Sequence, residues 1–376
     1  MKSVLLEFLS TEEKTLIFVI RQDWEEKNIA DFEPLFFEAD FNERDVIKCV
    51  EEIRGLYDEW SKHNYESEYL NNIKLEERTE FYNIGNKIFS DELMNAINGY
   101  DLIYFVPFSA LHHLPLHAMR YKEVDIIDDF ACSYLPSASV LQFVNKSKER
   151  PKEFKLKGIG VDFKQIDSLE FADEIYDLID EKYFSNKSRD FIDKEVTKKV
   201  FFEKNEQYDI LHCATHGFSS SNNPLNSSII LYFPSDLLKE LQDRDIYYEI
   251  ENNPKIKEYL VTVNDLISNL KTGFELVFMS ACVTGENKNE AGDELIGLSR
   301  GLFYSGTKSM IVTLFNTFRD VSINEKTHIK FFYQYWIEEE KPKAKALQLY
   351  IKKIKNIKKF KHPFNWFSYI LIGNPY

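Results

Sequence analysis

Two apolar stretches of the sequence end on residues that could do chemistry together. The stretch "YDILHCATHGF" (208–218) carries His216 directly before Gly217, and "LVFMSACVTG" (276–285) carries Cys282. A cysteine attacks as its thiolate, and a neighbouring imidazole can accept the proton and later deliver one to a leaving amine. Glycine lets the backbone come close to a substrate, so the amides of Gly217 and Cys282 are candidate donors to an oxyanion. The pair predicts acyl transfer where two core strands end.

Each residue taken alone has a plainer explanation. A cysteine at a strand end is most often a small buried hydrophobe, and a single histidine is most often a satisfied polar residue. Here, however, the small residues Ser280 and Ala281 precede the cysteine, and Gly217 and Gly285 mark sharp exits from the two strands. Together these features favour the catalytic interpretation.

A metal site is the third interpretation of the same residues. His212 and His216 are four positions apart, with Cys213 between them. That spacing serves a metal on a helix, whereas the stretch is typical of a strand, on which positions four apart are well separated. The histidines of "HHLPLH" (112–117) lie among a proline and apolar residues, which is typical of a turn and of packing. We therefore predict no metal and no cofactor.

The chain beyond residue 80 alternates between apolar runs of strand length and helical stretches. The runs are 101–108, 158–163, 208–215, 274–282 and 309–315. Runs that are apolar on both faces and separated by helices predict a mostly parallel sheet covered on both sides, which is a three-layer α/β domain. In such sheets functional groups collect beyond the carboxyl ends of the strands, where His216 and Cys282 lie.

The segment 1–80 has a different pattern. Its predicted elements are three strands and an amphipathic helix, at 3–9, 14–21, 34–41 and Glu43–Trp60. The polar segment 61–80 is the candidate boundary. We predict a small α+β region at 1–80 and an α/β domain at 81–376.

Composition excludes several classes of protein. With 376 residues, of which 44% are hydrophobic, the chain can bury a large core. The net charge of −15 argues against nucleic-acid binding by the whole surface, because such binding needs Lys and Arg on phosphates. Four scattered cysteines without a CxxC pair are typical of reduced thiols. The start lacks the pattern of a signal peptide, and no apolar run reaches the length of about eighteen residues that a membrane helix needs. These features predict a cytoplasmic protein with no membrane partner.

One local exception to the acidic character is the lysine-rich stretch 341–363. Apolar residues recur in it at helical spacing, with lysines on the other face: Leu347, Tyr350, Ile351, Ile354 and Ile357. A solvated helix face is favoured here over a nucleic-acid or membrane patch.

Five ordered motifs resemble the CHAT family, the bacterial relatives of caspases and separase in clan CD of the cysteine peptidases. They are "YFVPFSALHHLPLHAM" (104–119), "FACSYLPSASVL" (130–141), "YDILHCATHG" (208–217), "AGDELIGLSRGLFYSGTKSMIVTLF" (291–315) and "HPFNWFSYILIG" (362–373). The resemblance implies a caspase-like peptidase domain over 81–376, with Cys282 as nucleophile and His216 as base, acting as a dyad.

The sequence departs from the family pattern near the substrate pocket. The family pattern has an acidic residue at one position of "NTFRD" (316–320), and the alignment allows either Arg319 or Asp320 at that position. In the family this region lines the P1 pocket. Asp320 would favour Arg or Lys at P1 by charge pairing, and Arg319 would favour an acid. We favour Asp320.

The resemblance therefore implies a cysteine endopeptidase that cleaves a specific protein partner, with a role in bacterial defence or regulated cell death and an activating protein partner. The alternative is a catalytically silent CHAT scaffold or a partner-gated regulatory module. A lysine-helix regulator gated by nucleic acid is a further hypothesis, although we expect no direct nucleic-acid binding. The intact Cys–His pair favours the enzyme.

Overall fold

The structure is a computed structural model that describes residues 1–21, 35–63, 67–144, 150–162, 172–179, 181–218, 220, 223–241, 244–282, 293–315 and 328–376. Of Ser61, Ser67, Glu68, Tyr247, Ala281, Cys282 and residues 293–298 it describes the backbone only. Within these residues, the chain divides into two compact units. The first unit combines residues 1–141 with 341–376, and the second unit comprises residues 142–340.

Strands and helices alternate along most of the chain. The strands are β1 (Ser3–Ser10), β2 (Thr15–Arg21), β3 (Leu35–Ala39), β4 (Leu102–Val106), β5 (Arg120–Tyr121), β6 (Val124–Asp125), β7 (Ala131–Tyr134), β8 (Leu156–Gly160), β9 (Arg189–Ile192), β10 (Ile210–Ala214), β11 (Gly217–Phe218), β12 (Ser228–Ile230), β13 (Leu260–Thr262), β14 (Leu276–Cys282), β15 (Ser309–Thr313) and β16 (Tyr369–Gly373). The helices are α1 (Glu43–Lys62), α2 (Ser67–Asn71), α3 (Leu75–Arg78), α4 (Phe81–Ile88), α5 (Asp91–Ala96), α6 (Ile126–Asp129), α7 (Leu141–Val144), α8 (Ala172–Ile179), α9 (Lys198–Phe202), α10 (Ser235–Leu241), α11 (Ile246–Asn252), α12 (Val263–Asn269), α13 (Asp293–Tyr304), α14 (Lys330–Tyr333) and α15 (Lys343–Lys355).

The strands of the first unit follow the order β3-β2-β1-β4-β7-β16. β1 to β3 form an antiparallel meander, and β1, β4, β7 and β16 run parallel. The elements predicted for the segment 1–80 are present. The predicted division at residue 80 does not separate two compact units, because β1 pairs with β4 across it, with Leu5 opposite Tyr104.

The second unit holds the five parallel strands β15-β14-β10-β8-β9. β8, β10 and β15 are buried along their whole length. A Cβ at Gly158 would lie 2.6 Å from Cγ2 of Ile175, so α8 packs closely on one face of β8. The adjacent Lys157 points to the other face, where its Nζ donates to the carbonyls of Val200 and Phe201 in α9 at 2.6 and 3.0 Å. Helices on both faces confirm the predicted three-layer α/β class with a mostly parallel sheet.

The lysine-rich helix α15 belongs to the first unit. Its predicted apolar stripe is buried from Leu347 to Ile354. Its opposite face is less solvated than we predicted, because Lys355 Nζ lies 2.7 Å from Asp125 and 2.6 Å from Asp128. Part of the lysine charge is therefore compensated by acids of the same unit. Among the described residues, no helix is long and apolar enough to cross a membrane.

Candidate active site

β10 delivers His216 to the carboxyl edge of the second unit. The strand is buried from Ile210 to Ala214, and the chain then leaves it through Thr215 and His216, which is half-buried. The hydroxyl of Thr215 donates to the carbonyl of Ile230 at 2.6 Å, and the amide of Ile230 donates to the carbonyl of His216 at 2.9 Å. Two hydrogen bonds to the last residue of β12 thus fix the chain around the predicted base.

Gly217 begins β11 and lies opposite Ile229 of β12 in an antiparallel pair. The amide of Ile230, one residue after Ile229, donates to the carbonyl of His216, one residue before Gly217. In an antiparallel ladder this pattern means that Gly217 and Ile229 form a non-hydrogen-bonded pair. The Gly217 N–H is consequently directed away from β12. An amide in this orientation can serve as the predicted oxyanion donor.

β14 runs beside β10 in parallel and ends at Cys282. Their register pairs Ile210 with Leu276 and continues to Cys213 with Met279. Three residues further along, β10 leads to His216 and β14 reaches Cys282. The two predicted catalytic residues therefore leave neighbouring strands at the same edge and at corresponding positions along the chain.

The last residues of β14 are irregular. Phe278 pairs with Ile311, and the next pair is Cys282 with Thr313. The chain moves on by four residues in β14 and by only two in β15 between these pairs. A bulge of this kind bends a strand and increases its local twist, and bulges are over-represented beside active sites. The pairing of β14 with β15 is thus irregular just before Cys282.

His212 and Cys213, the other candidate metal ligands, point to opposite faces of β10. His212 is 0% exposed, with Nε2 2.6 Å from Oε1 of Glu174 and Nδ1 2.7 Å from the hydroxyl of Tyr333. Cys213 is also fully buried, and burial raises its pKa to about 12. In the described part of the chain, no group of three or more His, Cys, Asp and Glu side chains is placed to hold a metal ion.

The carboxylate of Glu174 is not among the site residues that the sequence predicts. It also accepts a hydrogen bond from the hydroxyl of Ser280 at 2.6 Å, so it contacts β10 and β14 at once. Burial, with the Glu174 charge nearby, raises the pKa of Tyr333 well above its ordinary value, so this hydroxyl keeps its proton and forms a hydrogen bond with Nδ1 of His212. Because an ionised carboxylate has no proton to donate, Nε2 of His212 carries a proton and donates to Glu174.

A signal for Glu174 was present in its helix. Leu178 lies one helical turn later and is buried, and Ile175 beside it is buried as well. An acid on the apolar stripe of a short amphipathic helix must find donors in the interior. The donors, Ser280 and His212, lie on strands far away in sequence.

The histidines of "HHLPLH" serve packing in the first unit, as predicted. His113 and His117 are buried in short 3-10 turns. Nδ1 of His117 lies 2.9 Å from the hydroxyl of Tyr134, and burial is the main cause that lowers the pKa of His117 to about 3. The predicted pocket residues Asp320 and Arg319 lie outside the described residues.

The profile of the CHAT domain family matches residues 84–374, which include both strand ends described above. The chain belongs to the CHAT domain family. Tetratricopeptide repeat protein 28 is a relative of this CHAT domain, with 26% identity in Mus musculus and 27% in Homo sapiens, each over 191 residues. The match covers 47% of the chain and 8% of each relative, so the chain spans less than a tenth of their length.

Two solved structures of cysteine peptidases are similar to the chain. The separase–securin complex of Saccharomyces cerevisiae matches with a TM-score of 0.53 at 9% identity, covering 100% of this chain and 30% of that one. The complex of the pro- and mature domains of RgpB from Porphyromonas gingivalis matches with a TM-score of 0.43 at 10% identity, covering 78% and 69%. The likeness to separase shows that this CHAT domain has a caspase-like fold.

Proposed function

We propose that this CHAT domain is a cysteine endopeptidase in which Cys282 is the nucleophile and His216 is the base. The parallel pairing of β10 and β14 carries the proposal, because His216 and Cys282 each lie three residues beyond the last paired residues of these strands, Cys213 and Met279. The caspase-like fold and the intact Cys–His pair support it.

The chemistry follows from these positions. His216 takes the thiol proton of Cys282, and the thiolate attacks the carbonyl carbon of the scissile peptide bond. The amides of Gly217 and Cys282 stabilise the oxyanion of the tetrahedral intermediate. His216 then gives its proton to the leaving amine as the C–N bond breaks, and a thioester remains. A water molecule, deprotonated by His216, hydrolyses this thioester and restores the thiol.

The other three cysteines provide an internal contrast. Cys49, Cys132 and Cys213 are buried, and burial is the main cause that raises the pKa of each thiol far above its ordinary value. Only a thiolate reacts rapidly with an alkylating reagent. Iodoacetamide should therefore modify Cys282 first in the native protein, and His216→Ala should slow this modification.

Cleavage itself is tested with a peptide library whose products are identified by mass spectrometry. We expect wild type and Cys213→Ala to cleave the same peptides and Cys282→Ala to cleave none. Cys213→Ala is the matched control, since it removes a thiol from the neighbouring strand of the same sheet. Cleavage by Cys282→Ala, or slow alkylation of Cys282 in the native wild type, would overturn the assignment.

For the substrate we propose a basic P1 residue that pairs with Asp320. A carboxylate can receive two parallel charge-assisted hydrogen bonds from Arg, which a neutral P1 residue cannot supply. Asp320→Asn should reduce cleavage after Arg by about thirtyfold or more. If Arg319→Gln has this effect instead, and the wild type cuts after Asp or Glu, the preference is acidic.

We further propose that the substrate is a specific protein partner, that a second protein activates the enzyme, and that cleavage acts in the cytoplasm in bacterial defence or regulated cell death. Separase, which has the same fold, is seen in complex with the protein securin. Proteins captured on Cys282→Ala, and cleaved by the wild type in a second step, would be substrates. Capture without any cleavage would favour the scaffold alternative.

A further inference from the structure

A buried polar cluster lies on the α8 face of the second unit, next to the two strands that end at the candidate site. Its four members come from four elements: Glu174 of α8, His212 of β10, Ser280 of β14 and Tyr333 of α14. They are 5%, 0%, 6% and 0% exposed. Within the cluster, Glu174 accepts from His212 and from Ser280 at 2.6 Å each, and the hydroxyl of Tyr333 lies 2.7 Å from Nδ1 of His212.

Two glycines bring the carboxylate to this place. A Cβ at Gly158 would lie 2.6 Å from Ile175 Cγ2, and one at Gly160 would lie 3.0 Å from the Cα of Ala172. α8 can approach the sheet at this distance only because β8 has no side chains there. The short helix thereby places Glu174 over the neighbouring strands β10 and β14.

Filling the interior with this polar cluster costs more free energy than filling it with apolar side chains. Burying a carboxylate costs free energy unless hydrogen bonds and partners compensate it, and apolar side chains of similar volume often stabilise such a position as well or better. Bulk stability therefore does not account for a carboxylate at Glu174. What a carboxylate adds over an apolar side chain is a fixed hydrogen-bond distance to each of two strands.

The two strands that Glu174 joins are those of the candidate dyad. Ser280 lies two residues before Cys282, and His212 lies four residues before His216. Ser280 lies between the pairs Phe278–Ile311 and Cys282–Thr313, in the stretch where the register between β14 and β15 shifts and regular pairing does not set the position of the strand. An interaction from the side of α8 can set it instead.

We propose that Glu174 is a positioning residue, which fixes the ends of β10 and β14 relative to one another so that His216 and Cys282 meet. This inference rests on the proposed peptidase function. The carboxylate of Glu174 touches Ser280 and His212 and acts on the reaction through them. A displacement of about 1 Å between reacting groups can cost about a hundredfold in rate, so the link is expected to appear in the rate constant.

The test compares three substitutions within the cluster and one outside it. Glu174→Gln keeps the volume but places an amide against His212. Ser280→Ala removes the hydrogen bond from β14 to Glu174 and keeps the hydrogen bond from His212 of β10. Tyr333→Phe disturbs the same buried cluster but leaves both bonds that join the strands. Asp177→Asn removes one charge from an exposed position of the same helix. For each variant, the rate of iodoacetamide modification of Cys282 is measured against pH, together with kcat and KM on a library-derived peptide.

We expect Glu174→Gln and Ser280→Ala to lower kcat and the alkylation rate of Cys282 by about tenfold to a hundredfold, with little change in KM. Tyr333→Phe and Asp177→Asn should stay within about threefold of the wild type. Iodoacetamide labelling of the three buried cysteines, Cys49, Cys132 and Cys213, is the folding control, because these thiols become accessible when the protein unfolds. If Ser280→Ala, folded by this criterion, retains wild-type kcat and alkylation, the positioning role is wrong. Equal losses in Tyr333→Phe would show that the cluster acts through general stability, which also overturns the inference.

The outcomes separate this inference from the proposed function. A wild type whose Cys282 is unreactive and that cleaves nothing contradicts the peptidase itself. A reactive, cleaving wild type with unaffected Glu174→Gln and Ser280→Ala variants contradicts only the role of Glu174.

Discussion

Each unit of the molecule buries a histidine against a tyrosine hydroxyl. In the first unit, Nδ1 of His117 lies 2.9 Å from Tyr134, and in the second, Nδ1 of His212 lies 2.7 Å from Tyr333. The difference is the carboxylate of Glu174, which lies 2.6 Å from Nε2 of His212. In the part of the chain that the structure describes, Nε2 of His117 has no hydrogen-bond partner, and the lowered pKa of this histidine keeps it neutral.

The comparison shows two uses of the same residue type. His117 fills space and satisfies one hydroxyl, as a buried imidazole does in many cores. His212 is part of a cluster that joins a helix to two strands, and these strands end at the candidate dyad. In this molecule, the buried histidine that a buried carboxylate accompanies is the one on a strand that ends at the candidate dyad.

The largest expected effect concerns the cysteines of the two units. Cys282→Ala and His216→Ala should each lower peptide cleavage by at least about a thousandfold, and the double variant should be scarcely worse, because the two residues act as one. Cys132→Ala, which removes a buried thiol of β7 in the first unit, should cleave normally. Cleavage kinetics on one library-derived peptide check all four proteins, and a strongly impaired Cys132→Ala would show that thiol loss acts through the fold.

The two histidines themselves should differ in their effect on stability. His212→Ala leaves the Glu174 carboxylate buried without its imidazole, which should cost about 3–5 kcal/mol of unfolding free energy. His117→Ala leaves only neutral groups unsatisfied and should cost about 1–3 kcal/mol. Urea denaturation measures both. Equal losses would mean that Glu174 does not distinguish the two sites.

Acid should weaken the first unit through His117. Burial and the charge of Lys355 lower its pKa from 6.5 to about 3, so between these values the unfolded chain binds a proton that the folded chain does not. The stabilisation is full above pH 6.5 and is lost as the pH falls towards 3, by about 1.4 kcal/mol per pH unit. His117→Gln should flatten this slope in urea titrations at several pH values. The exposed His63→Gln is the control for the replacement of an imidazole at the surface of the same unit.

The smallest effects compare one glycine from each unit. Gly158→Ala should cost about 1–3 kcal/mol, because its new methyl group meets Ile175 and displaces α8. Gly55→Ala should stabilise the protein by about 0.5–1 kcal/mol, because a Cβ added to this helical glycine would meet no atom within 4 Å. Thermal denaturation distinguishes the opposite signs. A stabilising Gly158→Ala would contradict the close approach of α8.

The sequence predicted the strands of the second unit well because parallel strands in a covered sheet are continuous apolar runs. β10 and β14 were recognised in this way, together with the histidine and cysteine at their ends. The short strand β9 was missed, since its four residues are mostly half-buried and resemble a loop. The cluster around Glu174 was also missed, because its bond to Ser280 joins residues 106 positions apart. Pattern and spacing report local structure, whereas such a bond depends on the packing of a helix against the sheet.

The division of the chain into units has a consequence for synthesis. The first unit needs α15 and β16, which lie beyond residue 340, while the second unit is encoded without interruption from 142 to 340. A growing chain therefore completes every strand of the second unit before it makes β16, the parallel neighbour of β7. Until then β7 has an open edge of the kind that invites pairing with other chains. During synthesis, the first unit therefore stays incomplete until α15 and β16 have been made, after the whole of the unit that carries His216 and Cys282.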